Sequence, residues 1–187
     1  MSSQNTKFFD YPVPARLLRN LATGFVFVAL LAGIGNVLAA EEAKEKSKPI
    51  PYGDWALQCP GDKNSCSLRQ QVLVEIEGKK APIAAVVFVY GGEPRALHAI
   101  IRLPLGVALP RGMILQVDEN SPITWGLSHC DREGCLATGK ISPELRKSLE
   151  AGQKAKVIFH KLDGKPVAVP TSLKGVTAGL RALDKKK

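Results

Sequence analysis

The chain is short of aromatics: Phe, Trp and Tyr make up 6% of its 187 residues. Val, Ile, Leu and Ala must therefore fill its core, because the hydrophobic fraction of 45% is too high for a disordered chain. Common catalytic signatures are missing. No G-x-S-x-G elbow, H-E-x-x-H pair or paired-carboxylate motif accompanies His98, His129 and His160. No catalytic, cofactor-binding or metal-ligating residue is assigned, and the chain is read as not an enzyme. There is no C-x-x-C, which argues against dithiol redox catalysis. Zinc-finger spacing, an aromatic-and-basic RNA-binding strand and a recognition helix are all lacking, so nucleic acid is not an expected partner. No internal repeat is visible.

The N-terminus reads as an export signal. Lys7, Arg16 and Arg19 form a basic leader, an apolar stretch runs from Leu21 to about Ile34, and Val37-Leu38-Ala39-Ala40 supplies small residues. Basic, then apolar, then small is the order of a secretory signal peptide, cleaved here after Ala39 or Ala40. The alternative is an uncleaved anchor. Gly33, Gly35 and Asn36 interrupt the apolar run, which falls short of the ~20 residues a spanning helix needs. No Cys follows the cleavage site to carry a lipid, and there is no twin-arginine pair. The expected organisation is a signal peptide over 1–40, a flexible linker over 41–51 (EEAKEKSKPIP), a folded domain over 52–184 and a basic tail over 185–187. The expected location is the periplasm, or beyond it, associated with the outer membrane or secreted.

The formal charge is +9. Without Lys7, Arg16, Arg19 and Asp10, the remainder keeps 23 basic against 16 acidic residues, net +7. Such a surface can meet lipopolysaccharide, anionic lipid or acidic glycans; the plainer use of the charge is solubility.

All four cysteines follow the proposed cleavage site. An even count in an oxidising compartment points to disulfides. Cys59 and Cys66 flank PGDKNS, and Cys130 and Cys135 flank DREG, so each pair brackets a polar turn between strand-like segments. Cross-strand partners beside a hairpin loop approach within bonding distance, which favours Cys59–Cys66 and Cys130–Cys135 over the two other connectivities. A four-thiolate zinc site is the rival; spacings longer than C-x-x-C and export both weigh against it.

Strand patterns dominate. Trp55, Leu57 and Cys59 share one face of a first strand, and Cys66, Leu68, Gln70, Val72, Val74 and Ile76 alternate with Ser67, Arg69, Gln71, Leu73, Glu75 and Glu77. The apolar run 83–90 reads as a central strand buried on both faces, paired with 97–103 across Gly91-Gly92-Glu93-Pro94. Further strands are expected over 113–117, 123–129, 154–161 and 167–169, with Asp163-Gly164 as a turn. Ser142-Pro143 starts a short helix that Gly152 stops, and Leu173, Val176, Leu180 and Leu183 have helical spacing. The fold class is therefore all-β: a β-sandwich or partly open barrel of about eight to nine short strands, with one or two short helices. Trp55 and Trp125 could stack on sugar rings, but tryptophans at strand positions more often serve the core.

Several of these residues fall into a recognisable order. Gly53-Asp54-Trp55 precedes Cys59 and Cys66; Leu103-Pro104-Leu105-Gly106-Val107 is followed by Leu109, Gly112 and Val117-Asp118; then come Cys130, Gly134-Cys135, Leu173-Lys174-Gly175 and Gly179-Leu180. From about residue 50 to 183 the chain resembles the invasion-associated locus B family of exported proteobacterial proteins. Val176 departs from the pattern, standing where an aromatic usually follows the Leu-Lys-Gly. The resemblance implies an envelope protein linked to host-cell invasion and supplies no catalytic residues. The alternatives are a housekeeping periplasmic module without a host role, and a small hydrolase. Expected partners are a protein or an anionic surface component of the bacterial envelope or host cell. Leu103, Pro104, Leu105, Gly106 and Val107 are the candidate binding loop. Pro104 and Pro110 bar continuous strand pairing, and Gly106 and Gly112 permit unusual backbone angles. The competing use of this segment is a packed crossover between sheets.

Overall fold

A computed structural model describes residues 48–61 and 65–187. The signal-peptide assignment over 1–40 and the linker over 41–47 lie outside them. The expected strands form, in two antiparallel sheets. The larger has the order β1 (Ile50–Tyr52), β2 (Trp55–Gln58), β3 (Ser67–Ile76), β4 (Lys79–Gly91), β5 (Ala96–Leu103), β9 (Gly134–Lys140) and β8 (Leu127–Asp131). The smaller has the order β11 (Pro166–Ser172), β10 (Lys154–His160), β6 (Met113–Val117) and β7 (Ile123–Trp125). The described residues form a two-sheet sandwich, with no closed barrel among them. Helices α1 (Pro143–Ala151) and α2 (Val176–Asp184) complete it.

The core forms where the two inner faces meet, with alternation deciding which residues enter. Trp55, Leu68, Phe88 and Ile101 of the larger sheet and Met113, Val157 and Val169 of the smaller are buried. The rings of Trp55 and Phe88 stack at 5.1 Å between centroids, and Trp55 Nε1 donates to the Ser172 carbonyl at 3.0 Å. Trp55 is thus a core residue with its one polar atom satisfied.

Eleven strands form among the described residues, against the eight or nine expected. Ile50 and Pro51, read as linker, pair with Leu57 and Ala56 as β1. The run 123–129 is not one strand. It breaks at Gly126, where the chain leaves the smaller sheet and joins the edge of the larger. Strand β9 has a weak pattern because its inner positions, Cys135, Ala137 and Gly139, are small. They are small for a reason: the Trp125 ring lies so close over Gly139 that a Cβ there would meet it at 2.0 Å. Residues 83–90 are not buried on both faces either. Ala84, Val86 and Phe88 are buried, whereas the alternate residues are half-buried on the outer face.

Helix α1 begins as its sequence dictates. Ser142 Oγ accepts from Leu145 N at 3.1 Å, and Pro143 needs no partner for its missing N–H. Helix α2 starts three residues later than the spacing of Leu173 indicated. Gly175 has φ +90°, so no helix runs through it. Val176 is nonetheless buried, 1% exposed, so the smaller side chain still fills its place. Arg146 of α1 holds both oxygens of Asp184 of α2, at 3.1 and 2.6 Å, and Tyr90 of β4 donates to Asp184 at 2.6 Å. This network clamps the two helices to the sheet. The Arg146 hydrogen bonds hold the Asp184 carboxyl below the usual carboxylate range, while burial, then the bond to Asp184, pushes the Tyr90 phenol up.

Candidate functional site

The motif residues divide into two groups with different tasks. The first joins the start of the domain to its end. Asp54 N donates to the Lys174 carbonyl at 3.1 Å, and Ser172 Oγ donates to Asp54 Oδ2 at 2.6 Å. Gln70 Nε2 bridges the carbonyls of Asp54 and Ser172 at 3.3 and 3.1 Å. Gly53 and Gly175 let the two backbones touch. A Cβ on Gly53 would lie 2.5 Å from the Lys174 oxygen, and one on Gly175 would lie 2.0 Å from the Tyr52 oxygen. The Gly-Asp-Trp and Leu-Lys-Gly segments are therefore one interlock, and their task is structural. Gly179 serves the same packing, with the Leu68 side chain 2.5 Å from where its Cβ would stand.

The second group is the crossover from β5 to β6, where the candidate binding loop lies. Leu103 ends β5 and is buried; Pro104 is half-buried. Leu105 turns outward and is 59% exposed. Gly106 has φ +84° and its carbonyl accepts from Leu162 N at 3.2 Å. Val107 is buried and forms a bridge with Lys161, and Ala108 N donates to the His160 carbonyl at 2.8 Å. A short helical turn, Leu109–Arg111, then leads into β6. The segment is thus a crossover between sheets, packed on its inner side, that also presents two exposed leucines, Leu105 and Leu109.

Two open hollows, of about 410 and 400 Å³, border the Pro104–Leu105 ridge. Both are lined by Ile83, Pro104 and Leu105. Ile83 reaches them because the β3–β4 ladder slips there: Val72 pairs with Ala84 and Leu73 with Pro82, leaving Ile83 unopposed. The first hollow continues to Arg102 and Arg132. Arg102 pairs with Asp131 at 2.7 Å and lies 3.5 Å from Glu133. Asp131 is held below the usual carboxylate range by the Glu133 backbone N–H first and by Arg102 next. The second hollow continues to Phe159, Lys161, Leu162 and Val167. Leu162, 78% exposed, was missed as a site residue in the sequence; the signal was a leucine inside the polar turn Lys161–Lys165.

The cysteines close two local loops, Cys59–Cys66 and Cys130–Cys135, the latter directly opposed across β8 and β9. The histidines do not converge. His98 Nδ1 faces the Ala96 carbonyl at 3.0 Å on β5, His129 lies exposed on β8 beside Ser128, and His160 ends β10 in the other sheet. Among the described residues no three His, Cys, Asp or Glu side chains gather as a metal would require. No described helix is long and apolar enough to cross a membrane.

Comparison with known proteins places these features in context. Residues 55–184 match the family described as Invasion associated locus B (IalB) protein. Two Invasion protein B homologs of Brucella abortus, from strain 2308 and from biovar 1 strain 9-941, are each 27% identical over 165 residues, covering 87% of this chain and 93% of the relative. The crystal structure of invasion associated protein b from Bartonella henselae superposes with a TM-score of 0.66 at 22% identity, covering 74% of this chain and 97% of that one. That likeness concerns the fold.

Proposed function

Because the chain belongs to the invasion associated locus B family, we propose that it is an exported envelope protein that binds a surface component and contributes to host-cell invasion or association without catalysing a reaction. The observation that carries this reading is the family match across nearly the whole folded domain, residues 55–184. Three further features support it. The N-terminal order of basic, apolar and small residues fits export to the periplasm, with cleavage near Ala39 or Ala40. Two disulfides suit an oxidising compartment. The ridge at Leu103–Val107, with its paired hollows, is a held, partly apolar surface of the kind that binds a partner.

The test is deletion of the gene in its own bacterium, with complementation by the intact gene and by one encoding Leu105→Asp. Host-cell invasion should fall on deletion, return with the intact gene, and return poorly with the variant. Invasion unchanged by deletion, together with an envelope that becomes leaky to detergent, would replace the host role with the housekeeping one.

A further inference from the structure

The described residues expose five large apolar side chains, and three of them, Leu105, Leu109 and Leu162, lie on just two connections. One is the β5–β6 crossover; the other is the turn between β10 and β11. The two are tied together by Ala108 N to the His160 carbonyl at 2.8 Å, by Leu162 N to the Gly106 carbonyl at 3.2 Å, and by the Val107–Lys161 bridge. The turn is held internally as well, with Lys161 N donating to the Lys165 carbonyl at 2.9 Å. The leucines are therefore presented on an ordered platform, which lowers the entropic cost of binding. Leu105 and Leu162 share a hollow of about 400 Å³ with Ile83, Phe159 and Val167.

The same two connections are basic. Arg111, Lys161 and Lys165 stand against Asp163 alone, whose carboxylate lies 3.5 Å from Lys165 Nζ. We propose that this platform docks the protein on an anionic lipid bilayer, Leu105, Leu109 and Leu162 entering the acyl boundary while Arg111, Lys161 and Lys165 meet the headgroups. The inference rests on reading the 103–107 loop as the binding surface, and it names the partner. Charge selects the occupant: a second copy would bring the same cations, whereas an anionic bilayer opposes them. Geometry agrees, since leucines protruding from turns suit a deformable apolar phase. Neither contribution suffices alone; an apolar anchor of modest size needs a basic patch beside it for stable membrane attachment. Each cation near an anionic surface adds about fivefold to binding.

The experiment is co-sedimentation of the protein, purified from its own bacterium, with vesicles of phosphatidylcholine alone or with about one-third phosphatidylglycerol. The protein should sediment with the anionic vesicles, much less with the neutral ones, and less as salt rises. Leu105→Ser combined with Leu162→Ser should weaken anionic-vesicle binding at least about tenfold. Lys161→Glu combined with Lys165→Glu should do the same, and these exposed lysines keep the test valid if the leucine variant folds poorly. Any contribution from the N-terminal segment is common to all these proteins. Equal binding to both vesicle types, variants that sediment like the parent, or no sedimentation would overturn the inference. If vesicles fail while Leu105→Asp still impairs invasion, only the lipid assignment falls; if vesicle binding depends on the platform but deletion leaves invasion intact, the host role falls instead.

Discussion

Replacing Gly175 by Ala tests the interlock that closes the domain. Two costs arise. A residue with Cβ at φ +90° pays about 1–2 kcal/mol for the left-handed backbone. The new methyl would also stand 2.0 Å from the Tyr52 carbonyl oxygen and 2.9 Å from Gly53 N. Backbone must move, and the Asp54–Lys174 bond, worth about 0.5–1.5 kcal/mol, is the first to stretch. Together these predict a loss of about 1.5–3.5 kcal/mol. Gly164→Ala is the control, because Gly164 has φ +81° but nothing within 4 Å of its Cβ position. It should lose only the conformational part, about 1–2 kcal/mol. Urea or thermal unfolding of both variants under non-reducing conditions measures the difference, about 2–6 °C in Tm for a domain of this size. If Gly175→Ala is no worse than Gly164→Ala, the two motif segments are not locked together as described.

Other outcomes follow from the same structure. Asp184→Asn should destabilise the domain by about 1–3 kcal/mol at neutral pH, since it weakens the Arg146 and Tyr90 contacts. Because the folded Asp184 carboxyl lies below its ordinary value of 3.8, its stabilisation is full above that pH and is lost as pH falls through the folded value. Acid titration of stability should therefore be flatter in the variant below about pH 4; parallel curves would refute the assignment. Thr171 is 4% exposed and its hydroxyl has no partner among the described residues, so Thr171→Val should stabilise by about 1 kcal/mol in urea unfolding. Thiol titration of the unreduced protein should find almost no free cysteine, and reduction should cost about 2 kcal/mol for each short loop while the core keeps the domain folded. Four reactive thiols before reduction would overturn that pairing.

Much of the sandwich was legible because one-face burial leaves a period of two. The hairpin 83–103 and the capped helix after Ser142 stand in the sequence nearly as they stand in space. The signal failed where tertiary contact sets residue choice. Strand β9 looks unlike a strand because Trp125 demands Gly139, and the 123–129 run looks like one strand because nothing local marks its change of sheet at Gly126. The spacing of Leu173 starts helix α2 three residues too early, because Gly175 serves the interlock instead. The site was half legible. Leu105 could be found from its proline-framed loop. Leu162 and Ile83 reach the same place only through the sheet crossover and the slip in the β3–β4 ladder, neither of which is written in local pattern.

The most direct test of the account is photo-crosslinking in living cells from a reactive side chain at position 105, compared with one at exposed Lys147 of α1, a helix that lines neither hollow. The account predicts adducts with an envelope or host-surface component from position 105 and none from position 147. Equal labelling from both positions, or adducts confined to cytoplasmic proteins, would contradict it.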